Sequence, residues 1–214
     1  PGRKPINTAL ISSSRIDEVV DKLKNSLAKG AQAYWVCPLI EESEVLHYTA
    51  AERRFEKLRA KLGEGVVELV HGKMSSDTKD EIMDRFTNGE TKLLVATTVI
   101  EVGVNVPKAN IMVVENAEKF GLAQLHQLRG RVGRGTNQST CLFLYKEPLN
   151  SASKKRLSIL RETEDGFKIS EVDLSLRGSG DAIGTAQSGL PRFRMANNEM
   201  IEMLMETAHQ QARY

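Results

Sequence analysis

The chain has 214 residues, 40% hydrophobic and 27% charged, which suits one sizeable core, or a core with a small appendage, in a soluble globular protein. A net charge of +2 supplies no global field for nucleic acid, so any such contact must come from local patches. No apolar run approaches the ~20 residues of a bilayer crossing, no charged-then-apolar leader opens the chain, and the start at Pro1 reads as an excised domain.

Thr8–Ile11 is predicted as a short strand. Ser14, with Asp17 three residues on, is expected to cap a helix whose inward positions are Ile16, Val19, Val20, Leu23 and Leu27, ended by Gly30. Ala33–Leu39 reads as a buried strand. A polar stretch follows, then a helix with Phe55, Leu58 and Leu62 inward and a basic face of Arg53, Arg54, Lys57, Arg59 and Lys61, taken as a solvated surface. Val66–Val70 is the next strand, and the helix after it is capped around Ser75 or Ser76 and carries Ile82, Met83 and Phe86. Lys92–Ala96 and Ile111–Val114 are continuous apolar runs, as expected of strands covered on both faces, and Cys141–Tyr145 closes the series.

Strand and helix in regular alternation over 1–146 predict an α/β fold, a parallel sheet flanked by helices. In such sheets function collects in loops at the carboxyl ends of strands, and the informative loops here are read as following strands. From 147 to 214 the pattern becomes helical. Ser151–Thr163 and Ile169–Leu176 are predicted helices, a glycine-rich stretch over Arg177–Gly184 follows, and a last helix carries Met200, Ile201, Leu204 and Met205. Cys37 and Cys141 read as buried small hydrophobes. The four histidines show no ligand spacing, so no structural metal is expected.

Two segments carry chemistry. In Leu94–Pro107 a strand ends in the hydroxyls of Thr97 and Thr98 and leads to Gly103 and Asn105. Hydroxyls and backbone amides at a strand end suit nucleic-acid phosphates, and a glycine admits close approach of a nucleotide. In Gln124–Gly135, Arg131 and Arg134 stand three residues apart among glycines and after Gln127. Guanidinium groups never deprotonate and present forked donors that match phosphate oxygens. Yet the chain holds no Gly-x-x-x-x-Gly-Lys-Ser/Thr loop, so the cluster reads as a device that meets a triphosphate held by another domain.

In this order and spacing the segments resemble the second RecA-like lobe of superfamily 2 helicases, with Ala96–Pro107 matching motif V and Gln127–Arg134 matching motif VI. The resemblance implies that Arg131 and Arg134 are arginine fingers, that Gln127 contacts or senses the nucleotide, and that Gly103 and Asn105 border it. Thr97, Thr98 and the turn at His71, Gly72 and Lys73 would touch DNA. Phe120–Gly135, together with Thr163–Leu174, Leu176–Asp181, Gly184–Gly189 and Phe193-Arg194, is similar to the RecG family of fork-remodelling translocases. The Mfd family of transcription–repair coupling translocases is the alternative within the class, and a non-enzymatic nucleic-acid binding module the alternative outside it. The RecG resemblance implies a translocation hairpin over 147–214, with Arg156 and Arg177 on its helices and Gln187 on its return loop. It further implies ATP with Mg2+ held mainly by an N-terminal RecA-like lobe of the same parent, with no metal bound by this chain, and that lobe and a wedge domain of the parent as partners. Branched or forked DNA would be the partner, the motor monomeric, and the setting the bacterial cytoplasm, at the nucleoid. The sequence departs from the family pattern at Asn105, where Asp is usual, and at Ala186, where Arg is usual.

Overall fold

The computed structural model describes residues 4–38, 44–97, 106, 108–133, 135 and 138–181. Six strands form one sheet: β1 Asn7–Ser12, β2 Gln32–Val36, β3 Val67–Val70, β4 Leu93–Ala96, β5 Ala109–Val114 and β6 Thr140–Tyr145. Their order is β1-β6-β5-β2-β4-β3, and every neighbouring pair is parallel. The helices are α1 Ile16–Ala28, α2 Glu44–Leu62, α3 Ser76–Asn88, α4 Leu122–Arg129, α5 Ser151–Glu162 and α6 Gly166–Asp181.

Period-two alternation along each strand feeds a separate core on each face. Ala33 and Trp35 of β2, with Leu93 and Val95 of β4, point to the side covered by α1 (Val19, Val20, Leu23, Leu27) and α2 (Ala51, Leu58). Tyr34, Val36, Leu94 and Ala96 point to the other side, beneath Ile82, Met83 and Phe86 of α3 and Leu122, Leu125 and Leu128 of α4. Leu157 and Leu160 of α5 and Ile169 of α6 complete this second core. The result is the parallel, two-sided sheet expected from the alternation, a RecA-like architecture. The chain divides into two compact units, Pro1–Asp173 and Leu174–Tyr214, and the packing just given is that of the first.

Local chemistry departs from expectation at several element ends. Ser14 does not cap α1: Ser12 caps a short 3-10 turn over Ser13–Arg15 by accepting from the Ser14 amide, and α1 begins after Arg15 without a side-chain cap. A run of three serines offers three possible caps, and the one at the strand end won. Ser75 does cap α3, its hydroxyl accepting from the Thr78 amide at 3.2 Å. α6 starts at Gly166 and continues to Asp181, so it absorbs part of the glycine-rich stretch expected to follow it. The last expected helix, over Met200–Met205, lies outside the described residues, as does the expected end of β2 at Leu39.

Candidate functional site

The carboxyl ends of the strands form one edge of the sheet. Val70 of β3 pairs with Ala96 of β4, so His71 and Thr97, the next residues, leave the sheet side by side on adjacent strands, about 4.8 Å apart in the pairing direction. Val36 of β2 pairs with the same Ala96 and with Val114 of β5, which brings Cys37 and Glu115 into this row. His71 opens a turn closed by the Met74 amide on its carbonyl at 3.1 Å, and Lys79 Nζ donates to the Gly72 carbonyl at 3.1 Å. Gly72 and Lys73 are exposed at the tip, whereas Thr97 is buried. Thr98, Gly103 and Asn105 lie outside the described residues.

Two strands along the same edge from Thr97 sits an ionic cluster that the sequence did not reveal. Glu115 accepts from Trp35 Nε1 at 2.5 Å and from Arg54, whose Nη2 reaches Oε2 at 3.0 Å and whose Nε meets Oε1. The Arg54 guanidinium also lies 5.8 Å from the Trp35 ring centre, within cation–π range. Arg54 is therefore no part of a solvated basic face; it ties α2 to the carboxyl edge through a bidentate, charge-assisted pair. Lys61 and Arg59 are paired as well, with Asp17 and Glu56. No local pattern at Arg54 signals this, because its partner is 61 positions away.

Arg131 lies elsewhere. It follows α4 and precedes β6, so the arginine loop leads into a strand rather than out of one, contrary to the expectation that every informative loop follows a strand. Strands of four to six residues separate the two edges by about 13–20 Å. The loop's described flanks, Gly133 on one side and Gln138 and Ser139 on the other, are held at the amino edge. The Asn7 amide donates to the Ser139 carbonyl at 2.9 Å, and Gln138 Nε2 donates to the Pro5 carbonyl at 2.7 Å. A Cβ added at Gly133 would stand 3.0 Å from Ile6 Cγ1, and Gly133 has φ +81°. Only glycine meets both conditions without strain. Gln127 is exposed on the last turn of α4, Arg131 is half-buried after it, and Arg134 lies outside the described residues.

The sequence run hides a third arginine of different purpose. Arg129 is buried; its Nη1 donates to the carbonyls of Leu160 (2.5 Å) and Thr163 (2.9 Å), the open C-terminal carbonyls of α5. Its Nη2 lies 2.9 Å from His126 Nδ1. A guanidinium only donates, so Nδ1 is the acceptor; burial first, and then the Arg129 charge, hold His126 below its ordinary pKa. Glycine spacing drew attention to Arg131 and Arg134; nothing at Arg129 itself signals a partner 31 residues downstream.

Of the expected coupling residues, Arg156 is half-buried, and its Nη2 donates to the Glu118 carbonyl at 2.6 Å. Its buried Nε has no hydrogen-bond partner among the described residues. Glu164 accepts from the Ile6 amide at 2.7 Å. The Arg177 side chain and Gln187 lie outside the described residues. Among the described residues no cluster of histidine, cysteine and carboxylates has the makings of a metal site, and no helix is long and apolar enough to cross a membrane. Cys37 and Cys141 are buried free thiols, and burial pushes both pKa values up.

Residues 14–136, which contain both edges, match the family described as helicase conserved C-terminal domain. The chain belongs to that family. Within this helicase family, residues 163–211 match the description "ATP-dependent DNA helicase RecG, domain 3, C-terminal". The chain is 54% identical over 198 residues to the ATP-dependent DNA helicase RecG of Haemophilus influenzae, covering 92% of this chain and 29% of that protein. It is 47% identical over 212 residues to the RecG of Bacillus subtilis, covering 99% of this chain and 31% of that protein. A solved structure of RecG bound to a three-way DNA junction superposes with a TM-score of 0.73 at 40% identity, over 96% of this chain and 26% of that one. The chain thus spans under a third of the length of the relatives it matches. These relatives carry the name of the translocase branch that the sequence resembles.

Proposed function

We propose that this chain is the C-terminal motor lobe of an ATP-dependent double-stranded DNA translocase that remodels stalled forks and branched recombination intermediates. The carrying observation is the arginine loop. Arg131 is presented on a segment locked to the amino edge, in a chain with no phosphate-binding loop of its own. A guanidinium so held suits a nucleotide gripped by a separate lobe, where it stabilises charge in phosphoryl transfer, an effect worth about 10³–10⁵ in rate. Arg131 and Arg134 are the fingers of this reading, Gln127 reports the nucleotide, and Gly103 and Asn105 border it. ATP with Mg2+ is held mainly by the N-terminal lobe of the parent, and this chain binds no metal.

The opposite edge is the DNA side, with Thr97, Thr98, His71, Gly72 and Lys73 as contacts. A nucleotide on one edge and DNA on the other require a lever between them. We assign that role to the helical region 147–214, through Arg156, Arg177 and Gln187. The remaining partners are branched DNA and the parent's own N-terminal lobe and wedge domain, in a monomeric motor of the bacterial cytoplasm, at the nucleoid. The RecG structure on a three-way junction supports this substrate class.

The test is DNA-stimulated ATP hydrolysis by the chain alone, by the full-length parent, and by the parent carrying Arg134→Ala. Turnover is expected only in the unaltered parent, with DNA binding largely kept in the variant. Turnover in the variant, or in none of the three, would remove the arginine-finger assignment.

A further inference from the structure

Two large apolar residues stand out as exposed among the described residues, Phe167 at 90% and Leu174 at 69%. Both belong to α6; Leu174 opens the second compact unit, whereas Phe167 belongs to the first. A lone exposed apolar side chain needs no explanation; the way Phe167 is held does. Its amide donates to Asp165 Oδ1 at 2.9 Å, and the Asp165 amide donates to Thr163 Oγ1 at 3.0 Å. A Cβ at Gly166 would stand 3.2 Å from His126 Nε2, so the first turn of α6 is seated against α4. An aromatic ring on a fixed backbone loses little freedom on docking, the property of an interface anchor.

Its location narrows what docks. Glu164, three residues before Phe167, holds the Ile6 amide, and Ile6 packs under Gly133 of the arginine loop. The turn that carries the ring is therefore tied to the amino edge, where the chain enters β1 and where Ile6 meets Gly133 of the arginine loop. The matched relatives have over two thirds of their length outside the matched part, and the matched family is a C-terminal domain. In a parent of that build, the preceding polypeptide arrives at Pro5 and Ile6, where Glu164 ties down the turn that leads to Phe167.

We infer that Phe167 is a docking point for the N-terminal motor lobe of the same polypeptide, set on the edge that presents the arginine loop. The inference rests on the two-lobe reading above. Because the turn carrying Phe167 also receives Arg129 through the Thr163 carbonyl, the contact joins lobe closure to the start of the helical region.

Phe167→Cys provides the probe, since Cys37 and Cys141 are buried and react slowly. The measurement is the rate of maleimide alkylation at position 167, read by mass mapping of its peptide. It is made in the isolated chain, in the parent, and in the parent with a non-hydrolysable ATP analogue or a three-way junction. Labelling is expected to be fast in the isolated chain, about tenfold slower in the parent, and slower again with the analogue. Slow labelling in the isolated chain would mean that the chain covers its own ring, and equal rates in chain and parent would mean that nothing does. Protection indifferent to the analogue would assign the cover to another part of the parent, and protection only with the junction would assign it to DNA. Each of these four overturns the inference. A parent without DNA-stimulated ATP hydrolysis would instead remove the two-lobe reading, by a separate measurement.

Discussion

Arg129 and Arg131 are two residues apart and take opposite parts. A guanidinium cannot shed its charge at accessible pH, so a buried one must be met by acceptors, and Arg129 meets three: two carbonyls at the end of α5 and the imidazole of His126. That arrangement makes His126 a titrating element of stability. Its folded pKa lies below the ordinary 6.5, from burial first and from the Arg129 charge second, with Glu164 and Asp165 opposing. The unfolded chain therefore binds more protons than the folded one between the two pKa values. Stability contributed by the neutral ring is full above about 6.5 and is lost as pH falls through and below that value. Urea unfolding of the chain at pH 5.5 and pH 7.5 is expected to give lower stability at the acid value, and His126→Gln to flatten the difference. An unchanged difference in the variant would assign the dependence to other groups.

At the scale of elements, the α4–β6 connection is the piece whose shape matters most, and Gly133 is where it is least forgiving. Gly133→Ala adds a strained left-handed residue and a contact at 3.0 Å with Ile6. Together these are expected to destabilise the chain by about 1–3 kcal/mol, a loss of several degrees in Tm. Measured against Ile6→Ala alone, which removes both Cγ1 and Cδ1, Gly133→Ala should show the backbone share without the contact share. No loss in that background would mean that the left-handed conformation costs nothing there. The elements themselves were legible: continuous apolar runs located β4 and β5, and helical spacing picked out Val19, Val20, Leu23 and Leu27, all buried as expected. Legible too were the glycines around Arg131, because a tight turn leaves a mark in local sequence. The Arg54–Glu115 pair, the Arg129 cap and the Glu164–Ile6 bond were not. Each joins residues far apart in sequence, and an isolated charge looks the same whether solvated or paired. The amino-edge position of the arginine loop was missed for a different reason, a general rule about carboxyl ends applied to a loop that leads into a strand.

For the whole molecule, a charge of +2 leaves little long-range attraction for DNA, so binding by this chain alone should come from a few phosphate contacts and weaken steeply with salt. Lys73, exposed at the tip of the turn after β3, is expected to supply one of them. Lys73→Ala should reduce the slope of log affinity against log salt on duplex DNA by about one, measured by titration across 50 to 200 mM salt. An unchanged slope would place the contact elsewhere. The strand order has a consequence for how the lobe is born. Among the described residues, β1 pairs within the sheet through β6 alone, Asn7 against Thr140. On the ribosome, β1 therefore emerges first of the six strands and waits for all five others before its edge is paired, roughly 6–27 seconds at about 5–20 residues per second. Throughout that interval a twisted central sheet of β2, β3, β4 and β5 can assemble, while β1 trails as an unpaired apolar strand. A stalled or shortened nascent chain that stops before β6 would keep β1 in that state, which makes residues 7–12 the segment a chaperone is most needed to shield.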